Sequence, residues 1–152
     1  MKTIRAHTDA TDFQFTSIIV NKDFASKAHV DRGNAGDSYI IALGNFEGGG
    51  LWVESNNSSE ALELYHKVSG KYREGSIHYG EVHEVRDRWF RYDGRTLHYT
   101  KPYSGERVSL VYYTNSQWYS DRVPSEAREQ LVGLGFPTPA VDRSLTAGEP
   151  AT

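Results

Sequence analysis

The sequence predicts a mainly β chain: a double-stranded β-helix of the jelly-roll, cupin-like type, with one or two short helices. Three observations predict it. Short runs of β-branched and aromatic residues recur from Phe13 to Asn115. Turn clusters of Gly, Asn and Asp separate them, as in "DRGNAGD" and "NFEGGG". Regular alternation of strand and long helix, which a βαβ fold requires, is missing. A jelly-roll needs about eight strands, and this stretch is long enough to hold them.

The elements follow in order. "FQFTSIIV", 13–20, alternates and then runs apolar, which predicts a strand. "SKAHV", 26–30, reads as a short strand that puts His29 and Asp31 on one side, because strand side chains repeat every second residue. Residues 31–37 form a turn, 38–44 a buried strand, 45–50 a second turn and 51–55 another strand. "SSEALELYHK" predicts a helix capped by Ser58 or Ser59, running to Lys67 and ended by Gly70. Residues 71–88 read as hairpin-like. "RWFRY", 88–92, is a strand closed by the Asp93-Gly94 turn, and "TLHYT", 96–100, is another. The "YSGE" turn then leads into "RVSLVYYT", 107–114, the strongest strand pattern in the chain. "PSEAREQLVGLGF" predicts a helix over 125–133, capped by Ser125 and stopped by Gly133 or Gly135. The expected organisation is a β domain over 1–120, a C-terminal helix over 121–136, and a Pro-rich tail or linker over 137–152.

The composition bounds the function. The chain of 152 residues fits one domain. With no cysteine, disulfide frameworks, thiolate-bound zinc and iron–sulfur clusters are excluded. A formal net charge of −3 gives no global attraction to a polyanion, so a nucleic-acid role needs a local basic patch. The N-terminal residues show no secretory signal and no apolar run reaches membrane-spanning length, which predicts an intracellular protein, nuclear or cytoplasmic.

The residues that suggest chemistry are His29 and Asp31 in "KAHVDRGNAG", His98 in "GRTLHYTKP", and Arg107 and Ser109 in "GERVSLVYY". Two imidazoles and one carboxylate on one face of a metal leave open positions for a cosubstrate and O₂, the arrangement of non-haem iron oxygenases. A downstream arginine suits planar two-point recognition of a carboxylate. Each residue alone has a plainer reading: a strand end before a turn, a half-buried strand histidine, a surface arginine. Arg107, Ser109, Val111 and Tyr113 share a face by alternation, and a charged group pointing into a barrel must be paired. Gly48-Gly49-Gly50 lacks the helix and Lys-Ser/Thr of a phosphate loop and reads as a tight turn. His78 and His83 read as surface residues. Two basic–aromatic stretches, Tyr65–Arg73 and Arg86–Lys101, suit either phosphate contact and base stacking or a solvated face.

Two blocks, "NKDFASKAHVDRGNAGDSYIIALGNFEGGGLWV" and "LHYTKPYSGERVSLVYYTN", give the chain a family resemblance from about Phe15 to Asn115. It resembles the Fe(II)/2-oxoglutarate-dependent dioxygenase superfamily, and within it the TET/JBP group of nucleic-acid base oxygenases. The resemblance implies that His29, Asp31 and His98 bind iron, and that Arg107 and Ser109 hold the distal carboxylate of 2-oxoglutarate. It implies that Asn34 hydrogen-bonds a flipped pyrimidine and that Tyr113 stacks on it. Asn115 stands where that group has a histidine touching the base. The implied reaction uses O₂ and 2-oxoglutarate to oxidise a methylated pyrimidine, 5-methylcytosine or thymine, in nucleic acid. Two alternatives stay open: the same chemistry on a small molecule or protein side chain, and a β-barrel binding module without turnover.

Overall fold

The computed structural model describes residues 13–141. The parts of the N-terminal domain and Pro-rich tail at 1–12 and 142–152 lie outside them. The described chain is mainly β, with ten strands: β1 Ser17–Lys22, β2 Asn34–Leu43, β3 Phe46–Gly48, β4 Leu51–Glu54, β5 Glu60–Glu63, β6 Ile77–His83, β7 Phe90–Tyr92, β8 His98–Thr100, β9 Tyr103–Gly105 and β10 Val108–Asn115. One α-helix, α1 Ser125–Gly133, follows a short 3-10 turn at Ser116–Tyr119.

All strand pairings are antiparallel. One four-stranded sheet runs β1-β10-β2-β7, a second runs β5-β6-β4-β8, and β3 and β9 form a two-stranded ribbon. Both large sheets feed one core cluster, with Ile40 and Ala42 of β2 and Tyr92 of β7 packed with Leu51 of β4, Phe46 of β3 and Val85. A second cluster places Ala28, Leu64, Tyr72 and Leu97 with Trp52. The long pairing of β2 with β10 forms because "SYIIAL" and "VSLVYY" are both rich in β-branched and aromatic residues.

Several expectations need correction. The helix over 58–67 is instead strand β5 and a loop. Leu62 and Leu64, two residues apart, both pack toward Trp52, which is strand spacing, and β5 pairs with β6. Burial beside Trp52 outweighs the helix propensity of "EALEL". Gly70, at φ +53°, serves the tight turn between Ser69 and Tyr72. The segment 26–30 makes only a bridge, His29 to His98. The turn expected over 31–37 shrinks, because β2 already starts at Asn34. A register shift near Tyr113 lets Asn34 and Ala35 pair with Asn115 and Thr114. The two Gly-rich turns at 45–50 and 103–106 pair with each other as β3 and β9. The first strand spans Ser17–Lys22, not 13–20.

The helix lies where expected, but Pro124 is its N-cap, with no side-chain cap, and Ser125 is its first residue. None of its residues is buried. Its anchor is Arg128, which donates to the carbonyls of Trp118, Ser120 (2.8 Å) and Val123 (3.3 Å) and lies over the Trp118 ring. The start of the tail is docked: Trp118 Nε1 donates to the Pro139 carbonyl and the Phe15 amide to that of Pro137. No helix among the described residues is long and apolar enough to cross a membrane.

Behind the second sheet, Glu54 accepts from Tyr72 Oη (2.6 Å), His78 Nδ1 (2.9 Å) and Lys71 Nζ (3.2 Å). Burial raises the Glu54 carboxyl, but these hydrogen bonds outweigh it and hold the group below its ordinary value. His78, expected on the surface, is therefore a partly buried member of this network. Close packing also explains Gly80 of β6, where a Cβ would lie 2.4 Å from the Val53 carbonyl and 2.5 Å from the Trp52 ring. Gly80→Ala is expected to destabilise the fold by about 1–3 kcal/mol through overpacking, measurable by urea unfolding. Unchanged stability would show that Trp52 has room to shift.

Candidate metal centre

His29, Asp31 and His98 converge. The bridge between His29 and His98 places their rings side by side, with centroids 4.2 Å apart. Asp31 reaches the same point because its amide donates to the Gly94 carbonyl (2.8 Å) in the Asp93-Gly94 turn. Its two carboxylate oxygens then lie 3.6 Å from His29 Nε2 and 3.6 Å from His98 Nε2. One ligand atom from each residue lies within 4.8 Å of the others.

The tautomers follow from the backbone. His29 Nδ1 lies 2.7 Å from the Lys27 carbonyl, and His98 Nδ1 lies 2.8 Å from that of Thr96. A carbonyl only accepts, so both Nδ1 atoms carry a proton, and both Nε2 atoms face Asp31. Metal-bound histidines are held in this way, by a hydrogen bond from the distal ring nitrogen. Burial pushes the His98 imidazole down to about 4, and the neighbouring His29 adds to it. His98 is therefore neutral at physiological pH, the form that binds a metal.

The triad lies in the wall of a cavity of about 150 Å³, which both sheets line. Asn21, Ser109 and Tyr92 enter from the first sheet, Leu51 and Thr100 from the second, and Ser26 from the preceding loop. Ser109 is 2% exposed. Arg107, two residues earlier and just ahead of β10, is 1% exposed and does not line this cavity. The guanidinium stands 5.5 Å from the rings of both Phe46 and Tyr103. Its Nη2 donates to the Gly49 carbonyl (3.1 Å), and its Nε has no partner. Among the described residues no carboxylate pairs with this side chain. Burial lowers its proton affinity, and Tyr103 opposes that. Gly49 permits the approach: its φ is +70°, and a Cβ there would lie 3.0 Å from Arg107 Nε.

No family model, curated protein or solved structure matches this chain.

The residues expected to touch a substrate meet as well. Asn34, Tyr113 and Asn115 line a second cavity of about 280 Å³, with Arg32, Val30 and Gly33. Ile19, Asp31 and Val111 line both cavities, so the second adjoins the metal ligands. Two of its amides are already engaged. Asn115 Oδ1 accepts from the Gln117 amide (2.9 Å) and caps the 3-10 turn. Asn34 Nδ2 donates to Ser38 Oγ (3.2 Å) and to Asp31 Oδ2 (3.4 Å).

The basic stretch Arg86–Lys101 is largely occupied. Arg91 pairs with Asp37 (2.7 Å), Arg95 with Asp93 (2.8 Å) and Lys101 with Glu60 (2.5 Å), and Arg86 donates to the Phe46 carbonyl. None of these residues lines either cavity. Sequence reasoning missed Tyr92, which is buried, faces His98 at 5.1 Å and lines the metal cavity. Burial raises its hydroxyl well above the ordinary tyrosine value, so it stays protonated. Its position at the inner end of a strand, just before the Asp93-Gly94 turn that holds Asp31, was the available signal.

Proposed function

We propose that this chain is an Fe(II)/2-oxoglutarate-dependent dioxygenase built on a double-stranded β-helix. One conjunction carries the reading: a His29–Asp31–His98 group in a cavity wall and, two residues before the cavity-lining Ser109, a fully buried arginine whose side chain has no carboxylate partner among the described residues. Two four-stranded antiparallel sheets sharing one core support the fold assignment.

The donor set fits iron. Two imidazoles and one carboxylate would satisfy part of its coordination and leave positions for cosubstrate and O₂. When bound, iron and 2-oxoglutarate supply the oxidising power, through oxidative decarboxylation to succinate and CO₂. The chain's own residues do the rest. Lys27 and Thr96 carbonyls fix the imidazole planes. Arg107, through its unpartnered Nε, and Ser109, through its hydroxyl, hold the distal carboxylate of 2-oxoglutarate. Phe46 and Tyr103 keep water from that ion pair, which strengthens it. Ile19 and Val111 separate the cosubstrate side from the adjoining cavity.

For the substrate we propose a methylated pyrimidine, 5-methylcytosine or thymine, turned out of a nucleic acid into the cavity of Asn34, Tyr113 and Asn115. A tyrosine ring suits stacking, and amides suit hydrogen bonds to a base edge. A small molecule or protein side chain is the second reading. The internal pairing of Arg91, Arg95 and Lys101 favours it, because those cations are committed to carboxylates of the chain. The discriminating experiment incubates the protein with Fe(II), 2-oxoglutarate, O₂ and 5-methylcytosine- or thymine-containing DNA or RNA. Oxidised bases by mass spectrometry, with matching succinate, are expected. Succinate without base oxidation points to the second reading. No succinate under any condition leaves a binding module.

A further inference from the structure

Asn34 is the residue whose surroundings differ most from the role its sequence position suggests. It is 8% exposed, and its amide nitrogen points to Asp31 Oδ2 (3.4 Å) and to Ser38 Oγ (3.2 Å), a hydroxyl with no exposure at all. Its backbone reinforces the link, since the Asn34 amide donates to the Asp31 carbonyl (3.2 Å). Gly94 closes the group from the other side. A Cβ there would lie 2.9 Å from Asn34 Nδ2, 3.1 Å from Asp31 Oδ2 and 3.3 Å from Ser38 Oγ. The positive-φ glycines do not include Gly94, so the constraint there is space and not backbone conformation. Three side chains from one turn and the start of β2 thus meet over a residue that has no side chain of its own.

We infer that Asn34 is a positioning residue for the metal centre: its amide, set by Ser38, fixes the rotation of the Asp31 carboxylate. The inference rests on reading His29, Asp31 and His98 as metal ligands. A carboxylate side chain that is one-third exposed has rotational freedom. A donor on Oδ2 restrains it, holding Oδ1 toward His29 Nε2 and Oδ2 toward His98 Nε2, each at 3.6 Å. Hydrogen-bond partners of metal ligands are worth about 10- to 100-fold in metal affinity or activity. A side chain whose two donor hydrogens are held by Ser38 and Asp31 retains only its carbonyl oxygen for a ligand in the adjoining cavity.

The test uses Co²⁺ as the probe metal, followed by its visible absorption, with no turnover needed. Asn34→Ala is expected to bind Co²⁺ about 10- to 100-fold more weakly than the unaltered protein, with a changed visible spectrum. Ser38→Ala, which frees the amide without removing it, is expected to shift both in the same direction by less, and it carries the test if Asn34→Ala does not fold. Wild-type Co²⁺ affinity and spectrum in the folded variants would overturn the inference. So would an Asn34→Ala protein with unchanged Co²⁺ binding but a raised KM for the substrate, since Asn34 would then be reading substrate. Failure of the unaltered protein to bind Co²⁺ would overturn the metal reading itself, and this role with it.

Discussion

His29→Ala is expected to weaken Fe(II) binding and 2-oxoglutarate turnover together and to leave the fold intact. The side chain of His29 is 39% exposed, so truncating it opens no interior cavity. Stability of the metal-free protein is expected to change by no more than about 0.5 kcal/mol, as for other surface substitutions. Removing a ligand outright costs more than removing a ligand's hydrogen-bond partner, so Fe(II) affinity falls by more than about 100-fold. Succinate formation falls to background with it. The same change at His98 would be harder to interpret, because that ring is 2% exposed and packs against Tyr92. Equilibrium dialysis with Fe(II), thermal unfolding without metal and succinate assay make up the measurement. Normal iron binding by His29→Ala would remove His29 from the metal centre.

Arg107→Met separates a binding role from a structural one. A buried guanidinium without a carboxylate partner is costly to keep in the free protein. Replacing buried charged groups by apolar ones of similar volume is often neutral or stabilising, by about 1–4 kcal/mol. The metal-free variant is therefore expected to melt at the same temperature as the parent or higher. Its affinity for 2-oxoglutarate should move the other way. Truncating one partner of a buried charge pair costs about 2–5 kcal/mol, which is at least about 30-fold in affinity at about 1.4 kcal/mol per tenfold. The KM for 2-oxoglutarate should rise accordingly, and the thermal stabilisation that 2-oxoglutarate gives the parent should vanish. A lower melting temperature with an unchanged KM would make Arg107 a brace between Gly49, Phe46 and Tyr103.

The triad was legible in the sequence because its spacing is local on one side and strand-like on the other. His29 and Asp31 share a side by alternation, and His98 sits in a strand whose Thr100 lines the same cavity. Ser109 was legible as a polar residue on the inward face of an otherwise apolar strand, whereas Arg107, expected to open that strand, is buried just ahead of it. The segment 58–67 was misread because "EALELYHK" suits a helix locally, and only Trp52, distant in sequence, makes Leu62 and Leu64 a strand pair. The ribbon of β3 and β9 was read as two turns because each is short and Gly-rich, and neither shows its partner. The engaged amides of Asn34 and Asn115 were also illegible, since they depend on Ser38, Gly94 and the 3-10 turn lying where the fold puts them.

The central claim is that His29, Asp31 and His98 hold iron and that Arg107 and Ser109 receive 2-oxoglutarate. Anaerobic titration of the Fe(II)-loaded protein with 2-oxoglutarate, followed by visible absorption, tests it most directly. A charge-transfer band that needs both iron and 2-oxoglutarate, and that is lost in His29→Ala and weakened in Arg107→Met, is the predicted result. Iron uptake with no spectral response to 2-oxoglutarate, or no iron uptake at all, would contradict the account.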